Sequence, residues 1–175
     1  MSCILITGGA RAGKSSYAQK LAADIDEKVL FVATAEARDE DMRLRIERHK
    51  KSRPLNWDTL ESPSEVSKAI NEKAGEYPVV VIDCITMLVS NIMLGASDEK
   101  SAESAVLKEI DSLINAMKAK SAAFILVSNE VGLGIVPDNE LSRNYRDLLG
   151  RANQLLASYA DEVYLLVAGI PVKVK

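Results

Sequence analysis

With one histidine, two cysteines, one tryptophan and two phenylalanines in 175 residues, the chain is poor in several residue types, and each scarcity removes a class of protein. Cys3 and Cys84 lie in apolar segments without CxxC spacing, which argues against a disulfide framework or a zinc site and fits reduced thiols filling a core. No apolar stretch is long enough to span a bilayer, since the longest, Val79 to Leu94, is short and interrupted by Asp83 and Asn91. The N-terminus lacks a basic segment followed by a long apolar run, so a cytoplasmic protein is expected. The 22 basic and 25 acidic residues give a net charge of −3, which offers no global attraction to nucleic acid or an anionic membrane; any positive field must be local. Internal repeats, low-complexity tracts and long linkers are also missing, and the length suits a single domain over 1–175.

What the sequence does contain begins at once. Gly8, Gly9, Ala10, Arg11, Ala12, Gly13, Lys14 and Ser15 read GGARAGKS directly after the apolar run Cys3 to Ile6. Glycines at this spacing let backbone N–H groups curl around phosphate oxygens, Lys14 is placed to reach the β/γ phosphates, and Ser15 can hold Mg²⁺ while opening a helix. Tyr17, Leu21 and Ile25 recur every four residues behind it, as one helix face would. Strand, glycine loop and helix thus occur in the order a nucleotide triphosphate site needs.

Short buried-looking runs alternate with helical patterns: Cys3 to Thr7, Val29 to Thr34, Val79 to Ile82, Ala123 to Ser128 and Val163 to Val167. This alternation predicts an α/β fold, a P-loop NTPase-like mainly parallel sheet flanked by helices. Val106, Ile110, Leu113, Ile114 and Met117 form one core-facing helical stripe, and Leu141, Tyr145, Leu148, Ala152, Leu155 and Tyr159 another. After Val167, the turn Ala168 to Pro171 and the run Val172 to Lys175 predict a hairpin, with an antiparallel C-terminal edge strand whose lysines discourage aggregation.

Ligands of open α/β sheets bind beyond the carboxyl ends of the strands. The run Val79 to Ile82 delivers Asp83 to that edge, where its carboxylate can meet Mg²⁺ opposite Ser15; it also reads as a helix N-cap before Cys84. The second strand leads into a segment from Asp39 to Arg53 that is acidic at its start, basic at its end and stopped by Pro54, as befits a helix. His49 lies within it, on a face shared with Met42 and Ile46, so it either packs beside the core or serves chemistry. Arg45, Arg48, Lys50, Lys51 and Arg53 surround it; if they converge they disfavour imidazolium, keep a nucleophilic nitrogen and attract phosphate. A second glycine-containing loop, Asn129 to Asn139, is placed to close over a substrate, and beyond it Arg143, Arg146, Asp147, Gly150 and Asn153 share the face opposite the leucine stripe.

Three features together are similar to one family, the bifunctional adenosylcobinamide kinase / adenosylcobinamide-phosphate guanylyltransferases of cobalamin biosynthesis: ILITGGARAGKS, the segment RIERHKKSRPLNWDTLE, and NEVGLGIVPDNELSRNYRDLLGRANQLLASYADEVYLLVAG. VLFVATAE and VVVIDCITMLVSN resemble its second strand and acidic strand end, so the similarity spans essentially the whole chain; Tyr145 stands where phenylalanine is more usual. The resemblance implies phosphorylation of adenosylcobinamide and then GMP transfer from GTP to the product, with His49 as the residue that becomes GMP-histidine. It implies GTP and ATP as nucleotide substrates, Mg²⁺ on Ser15 and Asp83, and nucleotide contacts at Gly8 to Ser15, Ala33, Thr34, Ala35, Lys50, Lys51, Ser52, Arg53, Glu61 and Asp83. A homo-oligomer, a trimer being one form, is implied too. By spacing alone Glu61 is an exposed carboxylate before Pro63. A plain P-loop kinase with a structural His49 is the rival enzyme. A GTP-dependent switch is disfavoured because NKxD is absent and Cys84-Ile85-Thr86 is not DxxG.

Overall fold

Aliphatic and β-branched runs form one sheet because their side chains can be buried on both faces. In the computed structural model, which describes residues 2–51 and 53–175, the strands are β1 (Cys3–Gly8), β2 (Val29–Ala33), β3 (Asp58–Glu61), β4 (Val79–Asp83), β5 (Ala123–Val127), β6 (Glu162–Val167) and β7 (Ile170–Lys173). Their order is β3-β2-β4-β5-β1-β6-β7, with every neighbouring pair parallel except the β6–β7 hairpin. The helices are α1 (Lys14–Ile25), α2 (Glu40–Lys51), α3 (Val66–Lys73), α4 (Ile85–Gly95), α5 (Glu99–Lys118) and α6 (Glu140–Tyr159). This is the α/β, P-loop NTPase-like arrangement with an antiparallel edge strand that the alternating pattern predicts.

The two faces are covered unequally. Leu30, Val32, Val80, Ile82, Phe124 and Leu126 pack under α3, α4, α5 and α6, while Ile6, Phe31, Val81, Ile125 and Val127 pack under α1. Helix α2 buries none of its residues, because EDMRLRIERHKK has too few apolar side chains to make a core face. It is held by its own ends: the Met42 amide donates to Asp39 Oδ1 at 2.7 Å, Arg43 pairs with Glu40 and Glu47, and four basic residues occupy the last turn. The consequence is an opening above the carboxyl ends of β2 and β4.

Three expectations change. In α1 the buried line is Ala18 and Ala22, and Ile25 is largely exposed, because close packing on the strands needs small side chains where Tyr17 and Leu21 only flank the contact. In α6 the buried residues are Leu148, Leu149, Ala152 and Leu156, whereas Leu141 and Leu155 face solvent, so the stripe is rotated from the spacing-based one. Strand β3 carries no signal in the sequence. Its sequence DTLE is mostly exposed at the sheet edge and has no apolar alternation, so pairing with β2 alone defines it.

The C-terminal lysines are not free edge guards. Lys173 bridges to Glu162 at 3.1 Å, and Lys175 Nζ donates to the carbonyls of Ala157, Ser158 and Ala160 at 3.0, 3.2 and 2.5 Å. Helix α6 has no basic residue in its own last turn, so Lys175 supplies the positive charge there. Lys175→Met should lower stability by about 1 kcal/mol, roughly 2–4 °C in a thermal melt; an unchanged melting curve would count against the cap.

Gly8 ends β1 at φ +145°, and a Cβ there would lie 2.6 Å from the Leu166 carbonyl oxygen of β6. Backbone, not a flexible side chain, blocks the position. Gly8→Ala should cost about 2 kcal/mol or more, roughly 4–8 °C, because both the conformation and the strand contact resist it. A denaturation midpoint equal to that of the parent protein would refute this account.

Candidate active site

The phosphate loop is shaped by backbone conformations that few residues tolerate: Gly8 and Gly13 have positive φ, as does Arg11. Helix α1 begins immediately after Gly13 with no capping side chain and no acid in its first turn, so its first amides are left for an anion. Lys14 is only 7% exposed and its Nζ donates to the Gly9 carbonyl at 2.7 Å. Burial pushes its amine below the usual lysine range and nearby Arg45 adds to this, while Cys84 and Asp83 act the other way. The loop is tied outward as well: the Glu130 amide donates to Gly8 O at 3.0 Å, and the Gly169 amide in the β6–β7 turn donates to Ala12 O at 3.1 Å.

Register places the strand-end residues in a row. Glu61 pairs with Ala33, Ala33 with Asp83, and Asp83 with Val127, so the two carboxylates stand two strands apart, about 9–10 Å between Cα atoms. All four residues line a cavity of about 810 Å³, together with Ala12 to Ser16, Ala35, Phe31, Cys84, Met87 and Asn129. The opposite wall is α2, which contributes Met42, Arg45, Ile46, Arg48, His49 and Lys50. The face shared by Met42, Ile46 and His49 therefore borders the cavity instead of the core. Six Lys and Arg line this space against four Asp and Glu, a local positive excess in a chain of net charge −3. A volume of this size suits a nucleotide.

Arg53 lines the same cavity. Its guanidinium lies 3.8 Å from the Phe31 ring centroid, and Phe31 stacks on Trp57 with centroids 6.5 Å apart. Its Nη1 donates to Thr59 Oγ1 at 3.1 Å, while its buried Nε has no hydrogen-bond partner among the described residues. Lys50 is hydrogen-bonded to Glu61, and that bond holds the Glu61 carboxyl below the usual range, so the pair persists into mild acid.

Several anticipated residues take other positions. Thr34 is fully buried and does not line the cavity; its Oγ1 donates to Cys84 O and accepts from the Cys84 amide, both at 2.7 Å. Gly8, Gly9, Ala10 and Lys51 also stand outside the lining, and Ser52 lies outside the described residues. Asp83 is not the N-cap of α4: Cys84 takes that place, without a side-chain cap. Asn153 turns toward the sheet, not away from it, accepting from Ser128 Oγ at 2.6 Å and donating to Asn129 O at 3.1 Å. Cys84 packs against the core, as expected, and also borders the cavity. Burial, with Asp83 beside it, raises its thiol to about 11, so it remains protonated and poorly nucleophilic at neutral pH.

Asn129, the first residue of the loop expected to close over a substrate, does line the cavity, whereas Phe31 and Met87 join it without any signal in the sequence. Apolar side chains such as these two are read as core filling unless the fold brings them to a cavity.

Residues 4–174 match the family described as cobinamide kinase / cobinamide phosphate guanyltransferase. The chain is 42% identical over 180 residues to the bifunctional adenosylcobalamin biosynthesis protein CobU of Escherichia coli strain K12, covering 98% of this chain and 99% of that protein. Identity and coverage are the same for CobU of Salmonella typhimurium strain LT2, and 38% over 171 residues for CobP of Pseudomonas aeruginosa, covering 98% and 96%. A phosphate loop, a charged helix across the cavity and similarity along nearly the whole length converge: the chain belongs to the cobinamide kinase / cobinamide phosphate guanyltransferase family of cobalamin biosynthesis.

Proposed function

We propose that the protein phosphorylates adenosylcobinamide and then transfers GMP from GTP to adenosylcobinamide phosphate through a GMP-histidine intermediate on His49. The observation that carries this reading is that His49 and Lys14 line one cavity. In the first reaction the aminopropanol hydroxyl attacks the γ-phosphorus of ATP or GTP, and the nucleoside diphosphate leaves. In the second, an imidazole nitrogen of His49 attacks the α-phosphorus of GTP, a P–N bond forms, and pyrophosphate leaves as the Pα–O bond breaks. A phosphate oxygen of the corrinoid then attacks the same phosphorus, freeing His49 and forming adenosylcobinamide-GDP. Splitting one displacement into two is the advantage of the covalent route.

Within this reading Lys14 and the α1 amides hold phosphate oxygens, and Arg45, Arg48 and Arg53 offset charge near the α-phosphorus. Ser15 and Asp83 offer hard oxygen donors within one cavity, the type of set that holds Mg²⁺ with substrate phosphates and water. When bound, Mg²⁺ neutralises charge on the phosphate oxygens. A homo-oligomer belongs to the same proposal, supported by exposed Val167, Ile170, Val172 and Val174 around the hairpin edge. No helix among the described residues is long and apolar enough to cross a membrane.

The test is incubation with Mg²⁺ and GTP labelled at the α-phosphate. Acid-labile, base-stable label on the protein supports the phosphoramidate. A wild-type protein that stays unlabelled removes the transferase mechanism and leaves an ordinary P-loop kinase.

A further inference from the structure

Asn91 is 7% exposed on α4, a helix whose other buried residues are Ile85, Thr86, Leu88 and Val89. A carboxamide there carries a desolvation cost that an aliphatic side chain would avoid, unless its polar atoms are paired. They are all paired, and with chain segments at the border of the cavity. Nδ2 donates to the Thr34 carbonyl at 2.8 Å and to the Pro63 carbonyl at 3.0 Å, and Oδ1 accepts from Arg38 Nη2 at 3.2 Å.

Each partner holds a different part of the site. Thr34 follows β2 and clamps Cys84, next to Asp83, through its hydroxyl. Pro63 follows Glu61 at the end of β3 by two residues. Arg38 stands one residue before Asp39, the residue whose carboxylate receives the Met42 amide at the start of α2. Arg38 is itself braced, donating to Glu36 Oε2 from Nε at 3.1 Å and Nη2 at 2.8 Å. Because α2 buries no residue of its own, core packing does not decide where it stands. The tie at its entrance then matters.

We propose that Asn91 is a positioning residue: through Arg38 it fixes the entrance of α2 against the strand ends, and so sets where His49 stands relative to the phosphate loop. This rests on the reading of His49 as the nucleophile. Asn91 touches no reacting atom, so its effect should fall on the transfer rate and not on GTP affinity. Misplacement of a reacting group by an ångström is enough to slow a reaction about a hundredfold.

The decisive variant is Arg38→Ala, which removes the link from a half-exposed side chain without opening the core. Its rate of His49 labelling by α-labelled GTP should fall by about ten- to a hundredfold, with GTP affinity near that of the parent and amide hydrogen exchange faster across residues 35–51. Asn91→Ala should show the same pattern, and the double variant should be no slower than Asn91→Ala, as expected when two residues act through one bond. Should Asn91→Ala fail to fold, Arg38→Ala decides alone. A parental labelling rate in Arg38→Ala overturns the proposal whatever the exchange shows. Absence of label on the wild type would instead count against His49 as nucleophile; exchange would then judge the anchoring, and unchanged protection of 35–51 would overturn it.

Discussion

His49→Ala should bear no acid-labile, base-stable guanylyl label and should lose guanylyl transfer by about a thousandfold or more, the scale seen when a covalent nucleophile is removed. The size of the effect follows from the cavity's composition. Apart from His49, the nitrogen and sulfur nucleophiles in the lining are Cys84, whose thiol is raised to about 11 and stays protonated, and the lysines Lys14 and Lys50, whose Nζ atoms are bonded to the Gly9 carbonyl and to Glu61. A neighbour therefore cannot easily substitute for the imidazole. Phosphorylation of adenosylcobinamide should continue within about threefold, because that step calls on the phosphate loop and not on a covalent intermediate. Stability should change by no more than about 0.5 kcal/mol, since α2 buries none of its residues. Parallel measurement of label, kinase turnover and melting separates these outcomes. Full labelling of His49→Ala would assign the intermediate to another residue, and loss of both reactions with a lowered melting temperature would make His49 structural.

Lys14→Met should slow both reactions severely, with nucleotide binding weakened by about tenfold to a hundredfold, as for loss of one charged hydrogen bond, and turnover lowered by about 10² to 10³. The melting temperature should nevertheless stay level or rise. Lys14 is buried with burial acting against its charge, and its Nζ donates to the Gly9 carbonyl. Methionine fills similar volume without the desolvation cost. Calorimetric titration with GTP and a melting curve on the same sample test the pair of claims. Tight binding by Lys14→Met would contradict the role given to the loop, and a marked loss of stability would show that the lysine mainly holds the fold.

The phosphate loop and the central strands were readable because their signals are local. Gly8 and Gly13 hold conformations that favour glycine and so stand out at fixed spacing, and β2, β4 and β5 are aliphatic almost throughout. Strand β3 was hidden because an edge strand with exposed DTLE depends on its neighbour, not on its own pattern. That strand is also what brings Glu61 level with Ala33 and Asp83, a relation visible only in register. The stripes on α1 and α6 were misplaced for a common reason: small or adjacent residues such as Ala18, Ala22 and Leu149 carry the contact, while larger ones at regular spacing flank it. Asn91 was legible only as a polar interruption in an apolar run; its three partners come from segments between 28 and 57 residues away.

The glycine loop is made early in the sequence but assembled late. Strand β1, from which it emerges, is flanked by β5 and β6, and its Ala12 carbonyl receives the Gly169 amide. During synthesis β1 and the loop therefore have no strand neighbour until β5 (Ala123–Val127) has been made, and no second one until β6 (Glu162–Val167) follows. A growing polypeptide on the ribosome cannot present a finished triphosphate cradle, so an immature product should neither sequester nor hydrolyse the nucleotide pool.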